Sequence, residues 1–133
     1  LLDIIQCLGT TPAEFFTDQE PEQIVFRQED YFTKDMEELH HQIKWLIPNA
    51  QKNAMEPVLM TLAPHGISKT QLPHEAEEFG YVLKGSVKLV YGSRSFTVRQ
   101  GESFYFIAGK KHYIENCSER EASILWVSTP PIF

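Results

Sequence analysis

Glycines at positions 66, 85, 101 and 109 cut the second half of this chain into pieces too short for useful helices and rich in Phe, Tyr, Val, Ile and Ser. The runs Phe79 to Leu83, Ser86 to Tyr91, Ser95 to Val98, Ser103 to Ile107 and Ser123 to Val127 each have the length and composition of a single strand. Gly92-Ser93 between two of them is a two-residue hairpin connection. Upstream, Ile24 to Phe26, Ile43 to Ile47 and Val58 to Leu62 are further candidate strands, separated by Pro, Asn and charge clusters. Asp35 to His41 reads equally as a helical turn or a loop. Many short strands at regular intervals can bury their backbone polar groups only by pairing in a sandwich or barrel. The expected class is all-β.

At 133 residues and 42% hydrophobic composition the chain is long enough for one domain with a real core. The net charge of −6 argues against gripping nucleic acid through this surface, because phosphate binding needs clustered Lys and Arg. No apolar run approaches the roughly 20 residues of a bilayer span, and none follows a basic segment as in a signal peptide. Cys7 and Cys117 are too few and too far apart for a disulfide framework. A cytoplasmic setting without membrane attachment is expected. The chain opens on Leu1 in place of Met, which suggests a fragment or a processed product.

Residues 1–16 have a different character. Leu1, Ile4, Ile5 and Leu8 recur at helical spacing, with Gly9 as a stop. Thr11-Pro12-Ala13-Glu14 supplies an N-cap, a first-turn proline and a capping-box glutamate before Phe15 and Phe16. Residues 17–23 read as a polar linker, and 24–133 as the β domain.

Chemistry concentrates in two clusters. Leu72, His74, Glu78, Gly80 and Val82 share parity, so along an unbroken extended strand they face one way. His112, Ile114 and Asn116 form a second such set. Two imidazoles and a carboxylate meeting inside a barrel make a facial set of metal ligands with coordination positions left open. The same three side chains can equally be satisfied core histidines around a salt-bridged glutamate. His40 and His41 are neighbours, so on a strand they face opposite sides and do not chelate together; both are expected to have a surface role. His65 reads as a loop residue. Trp45, Met60, Tyr81, Tyr105 and Trp126 are core residues by default and pocket lining as the alternative. Glu75 and Glu77 read as solvated, and nothing near Cys117 argues for a reactive thiol.

The two clusters resemble the paired signature motifs of the cupin superfamily. The first motif places glycine, two histidines, glutamate and glycine at positions that here hold Gly66, Leu72, His74, Glu78 and Gly85, with every spacing kept. The second maps onto Gly101, Ile107, Gly109, His112 and Asn116. The resemblance covers roughly residues 55–130 and implies a double-stranded β-helix, the cupin jelly-roll barrel. Ile107 stands where the motif has proline. Leu72 stands where it has its first histidine ligand, which reduces an implied four-ligand site to His74, Glu78 and His112. Such a site can bind Zn, Mn, Ni or Fe, or stay empty. Leu72, Gly80, Val82, Ile114 and Asn116 are the residues expected to line a ligand pocket beside it.

The N-terminal stretch Ile4-Ile5-Gln6-Cys7-Leu8-Gly9 through Phe15-Phe16 is similar to the closing helices of the helix-turn-helix domain in xenobiotic-response-element-type regulators. A subgroup of that family joins this domain through a short linker to a small cupin. The resemblance implies the effector-sensing cupin of a transcriptional regulator, dimeric and not an enzyme. DNA would be a partner only through a helix-turn-helix domain whose reading helix lies upstream of Leu1. The alternative is a metal-dependent cupin dioxygenase, isomerase or decarboxylase acting on a small polar metabolite. Leu72 argues against that alternative.

Overall fold

A computed structural model of the protein describes residues 22–133. The expected helices of residues 1–16 and most of the linker lie outside the described residues. Nine strands are present among them: β1 (Phe32–Met36), β2 (His41–Trp45), β3 (Glu56–Leu62), β4 (Glu77–Lys84), β5 (Ser86–Tyr91), β6 (Arg94–Arg99), β7 (Ser103–Ile107), β8 (His112–Glu115) and β9 (Ala122–Thr129). They form a six-stranded sheet of order β1-β2-β3-β9-β4-β7 and a three-stranded sheet of order β6-β5-β8. Every pairing is antiparallel. The jelly-roll expectation is met. No helix among the described residues is long and apolar enough to cross a membrane.

Alternation builds the core. β3 buries every second residue, from Glu56 through Val58 and Met60 to Leu62, and β9 does the same with Ala122, Ile124, Trp126 and Ser128. β4 contributes Glu78, Gly80 and Val82 to the same interior face. The smaller sheet supplies Val87, Leu89, Val98 and Ile114 from the opposite side. Each such aliphatic side chain contributes roughly 1.5–3 kcal/mol on burial, so two matched faces suffice to close the sandwich.

Gly80 leaves room for the side chain of its cross-strand neighbour on β7, Phe104. A methyl group there would collide with the Phe104 ring, which lies over the bare backbone of β4. Gly80→Ala is therefore expected to destabilise the fold by about 1–3 kcal/mol through overpacking, read as a fall in urea midpoint. A midpoint equal to wild type would mean that Phe104 has room to retreat. At the end of β4, Gly85 turns the chain into β5 with φ +74, where a side chain would also crowd the Glu121 carbonyl at 2.8 Å.

Three local expectations need correction. Ile24 to Phe26 is not a strand: the segment has no pairing partner, and Ile24 is 84% exposed. β1, absent from the sequence reading, exists because β2 offers an open edge. Its own residues show no inside–outside alternation to detect. The undecided stretch Asp35 to His41 divides between the end of β1, a single 3₁₀ turn over Glu37–Leu39, a left-handed His40 that caps this turn, and His41, the first residue of β2.

Candidate metal centre

Glu78 points inward from β4 by strand alternation and is buried. His112 opens β8, fully enclosed, with its ring edge-on to Phe106 at a centroid distance of 4.7 Å. His74 lies on the loop before β4, and that loop is held against β8. Gln71 and His112 exchange backbone hydrogen bonds of 2.8 and 3.0 Å, and the His74 amide donates to the Ala108 carbonyl at 2.8 Å. This lacing brings the two imidazoles to 5.6 Å between centroids. Only His74 reaches solvent, its side chain about one quarter exposed.

The atoms converge on one oxygen. Glu78 Oε2 lies 3.0 Å from His112 Nε2 and 3.1 Å from His74 Nε2. The other carboxylate oxygen, Oε1, accepts a hydrogen bond from the Trp126 indole N–H at 2.9 Å. Each imidazole donates its Nδ1–H to a backbone carbonyl: His74 to Leu72 at 2.7 Å and His112 to Lys110 at 2.8 Å. A carbonyl can only accept, so these bonds set the tautomer and turn both Nε2 atoms toward the carboxylate. Two nitrogen lone pairs facing an oxygen lone pair repel unless a cation sits among them.

The protein alone resolves half of this. Burial pushes the His112 pKa down, but the Glu78 hydrogen bond, the Lys110 carbonyl and the Glu78 charge outweigh it, and the net direction is up. A proton on His112 Nε2 can thus satisfy one contact. His74 Nε2 stays buried and without a hydrogen-bond partner, because at 3.1 Å from Glu78 it is close but misaligned. One ligand atom from each of His74, Glu78 and His112 lies within 4.8 Å of the other two. Two imidazole nitrogens and a carboxylate oxygen are donors of the kind that would hold a divalent cation, which would supply Lewis acidity here.

The five expected pocket residues fare differently. Leu72 is corrected: it is 70% exposed, because residues 71–76 bend and the assumed strand parity fails there. Its backbone carbonyl, not its side chain, serves the site. Gly80, Val82 and Ile114 do face inward, but into sealed core in which the Phe104 ring occupies the space above Gly80. Asn116 donates to the carbonyls of Leu62, Ala63 and Arg120 and accepts from the Ser118 amide and hydroxyl, so it braces a loop. Tyr81 and Tyr105 lie on the outer sheet face, exposed. Glu75 and Glu77 are exposed as expected, and the Tyr105 hydroxyl donates to Glu77. His65 is a loop residue paired with Glu119 across solvent at 2.6 Å, an arrangement worth little to stability.

Glu56 escaped the sequence reading, and the surface role expected of His41 is corrected: it is buried. Glu56, fully enclosed, accepts the Trp45 indole N–H at 3.0 Å and the backbone amides of Ile132 and Phe133 at 2.8 and 2.7 Å. Its signal was present, since it shares parity with Val58, Met60 and Leu62. His41 is buried, with Nδ1 donating to the Ile67 carbonyl at 2.8 Å. Burial lowers its pKa, partly offset by that carbonyl. Its folded-state pKa therefore lies below the unfolded value, and its contribution to stability is complete above about pH 6.5 and lost as the pH falls below that. Wild type is expected to lose more stability than His41→Phe between about pH 7.5 and about pH 5.5, measured by urea unfolding. Equal losses would mean that His41 is not held neutral.

Comparison with known proteins agrees with this architecture. The family model described as a cupin domain matches residues 58–128. The chain belongs to the cupin family. Along its full length it is 25% identical to the helix-turn-helix transcriptional regulator PuuR of Escherichia coli K12, of which it spans 72%. A helix-turn-helix family transcriptional regulator from Vibrio cholerae superposes with a TM-score of 0.61 at 25% identity, covering 71% of this chain and 53% of that one. A predicted oxalate decarboxylase from Thermotoga maritima superposes with a TM-score of 0.69 at 18% identity, covering 80% and 98% respectively. That last likeness is one of fold alone. This cupin is of the kind that helix-turn-helix transcriptional regulators carry.

Proposed function

We propose that residues 24–133 form the effector-sensing domain of a transcriptional regulator, that residues 17–23 link it to the DNA-binding part, and that residues 1–16 are the end of that part. The supporting observation is that the match to a helix-turn-helix regulator runs through the whole chain, residues 1–16 included. In this reading His74, Glu78 and His112 hold a divalent metal (Zn, Mn, Ni or Fe), whose charge cancels the repulsion among their facing lone pairs. The metal would supply Lewis acidity and open coordination positions to a small effector. His74 controls access, and Trp126 fixes the carboxylate.

The outer face of the six-stranded sheet supports a homodimer. Phe79 sits directly opposite Tyr105 and Val127, and Tyr81 opposite Leu125, so apolar side chains form a continuous stripe with Leu83 and Ile107 beside it. Phe79, Tyr81, Leu83, Tyr105 and Ile107 are all exposed, and a contiguous patch of this kind marks an interaction surface. A second copy covers it by two-fold symmetry. The double variant Tyr81→Lys/Ile107→Lys is expected to sediment as a monomer where wild type sediments as a dimer. A wild-type monomer at high concentration would remove this assignment.

The regulator reading is tested on the full-length gene product with DNA from upstream of its own gene. Removing metal with a chelator, or substituting Glu78→Gln, is expected to change promoter affinity by about 5–150-fold, the usual range of such coupling. No promoter binding, or affinity unmoved by either change, counts against it. The same two-imidazole, one-carboxylate donor set supports a second reading, a metal-dependent cupin dioxygenase, isomerase or decarboxylase acting on a small polar metabolite. Stoichiometric Fe or Mn with oxygen consumption on such a metabolite would establish that instead.

A further inference from the structure

Both tryptophans of the chain donate their indole N–H to a buried glutamate. Trp45 donates to Glu56 Oε2 at 3.0 Å, and Trp126 to Glu78 Oε1 at 2.9 Å. Glu56, Glu78 and Trp126 are all enclosed by the fold. The second pair bears on the candidate metal centre because it commits one carboxylate oxygen. Oε1 is held by the indole, which leaves Oε2 to face His74 and His112 at 3.1 and 3.0 Å. Turning the carboxylate to offer both oxygens would strand a buried N–H, and a stranded buried donor is costly. The position of the indole therefore fixes the position of the ligand oxygen.

Two aromatic rings hold that indole edge to face. Phe104 lies 6.0 Å away at 86°, and Phe133 lies 5.3 Å away at 70°, centroid to centroid. Phe104 is built into β7 and buried. Phe133 belongs to no strand and is only partly buried. Its hold is Glu56, whose Oε1 accepts the amides of Ile132 and Phe133 at 2.8 and 2.7 Å. One glutamate–indole pair thus anchors the ring that steadies the other pair. Neither Glu56 nor Phe133 belongs to the ligand cluster itself.

We propose that Phe133, clamped by Glu56, is a positioning residue for the candidate metal centre. It keeps the Trp126 indole on Glu78 Oε1 and so sets the affinity of the cluster for a divalent metal. The proposal rests on the reading that His74, Glu78 and His112 hold a metal. It adds to that reading a place outside the cluster from which affinity is controlled.

The test is the Zn(II) affinity of the full chain, measured by competition with a chelator under conditions where every variant is folded. Phe133→Ala is expected to bind Zn(II) about tenfold more weakly, and Trp126→Phe about 10–100-fold more weakly. Phe133→Tyr keeps the ring and is expected to match wild type. Phe133→Leu keeps apolar bulk without the ring and is expected to fall between wild type and Phe133→Ala. In the Trp126→Phe background, Phe133→Ala is expected to add nothing, because no indole N–H is left to direct. Val98→Ala trims the core of the three-stranded sheet, so it lowers stability and is expected to leave Zn(II) affinity unchanged. A Phe133→Ala affinity equal to wild type, or a loss that repeats in full in the Trp126→Phe background, would overturn the proposal. So would an equal weakening in Val98→Ala, which would tie affinity to stability alone. A wild-type chain that binds neither Zn(II) nor Mn(II) would remove the metal reading itself, and the clamp with it.

Discussion

Zn(II) or Mn(II) at a free concentration of about 1,000 times its dissociation constant is expected to raise the unfolding free energy of chelator-treated protein by about 4 kcal/mol. His112→Ala and Glu78→Gln are each expected to erase that rise. The argument is one of unsatisfied lone pairs. His74 Nε2 is buried without a partner, 3.1 Å from the oxygen that His112 also approaches. A cation bound by the native arrangement alone removes the repulsion, and its binding free energy then appears as stability. The two variants differ in an informative way without metal. His112→Ala leaves the Lys110 carbonyl and the Glu78 carboxylate without their partner, a loss of about 3 kcal/mol. Glu78→Gln can keep its carbonyl on the Trp126 N–H and turn its amide protons toward the two imidazoles. Its metal-free stability should therefore stay within about 1 kcal/mol of wild type. Differential scanning fluorimetry across a metal series reads all of this. An undiminished metal shift in Glu78→Gln would exclude ligation by this cluster.

Glu56→Ala is expected to cost about 3 kcal/mol or more, comparable to the loss of a large core side chain. Three donors converge on this carboxylate: the Trp45 indole and the amides of Ile132 and Phe133. Removing it orphans all three and releases the C-terminal residues from the sheet. Phe133 stacks edge-on against Trp126 at 5.3 Å, so the loss extends to the residue that orients Glu78. Glu56→Gln should be milder, about 1–2 kcal/mol, because one oxygen still accepts both backbone amides while the amide nitrogen confronts the Trp45 N–H. Guanidinium unfolding followed by tryptophan emission measures both. A Glu56→Ala variant within about 0.5 kcal/mol of wild type would show that the C-terminal segment contributes nothing to the fold.

The candidate site was legible to different depths at different residues. Strand parity placed Glu78 inward because β4 is regular and long, and the motif spacing paired it with His74 and His112. The same parity failed at Leu72, where the chain leaves extended geometry and the side chain turns out to solvent. Gly80, Val82 and Ile114 were correctly placed on the inner face. Whether an inner face lines a cavity or closes into core depends on what lies opposite, here the Phe104 ring. Glu56 carried a parity signal that went unused, since a glutamate at the start of an apolar strand is acceptable only if donors meet it, and those donors are up to 77 residues away.

Spacing of glycines and alternation of apolar residues are local properties, and they were enough to specify an all-β sandwich or barrel with Glu78 turned inward; the jelly roll and the pairing of Glu78 with His74 and His112 came from the resemblance to the cupin motifs. Residues distant in the chain meet only through sheet order and loop lacing, and these decided the rest. They set which nitrogen was left bare, which indole held which carboxylate, and where empty space remained. Burial free energy responds to local pattern, whereas hydrogen-bond satisfaction and cavity shape depend on the joint position of groups that no short stretch of sequence contains.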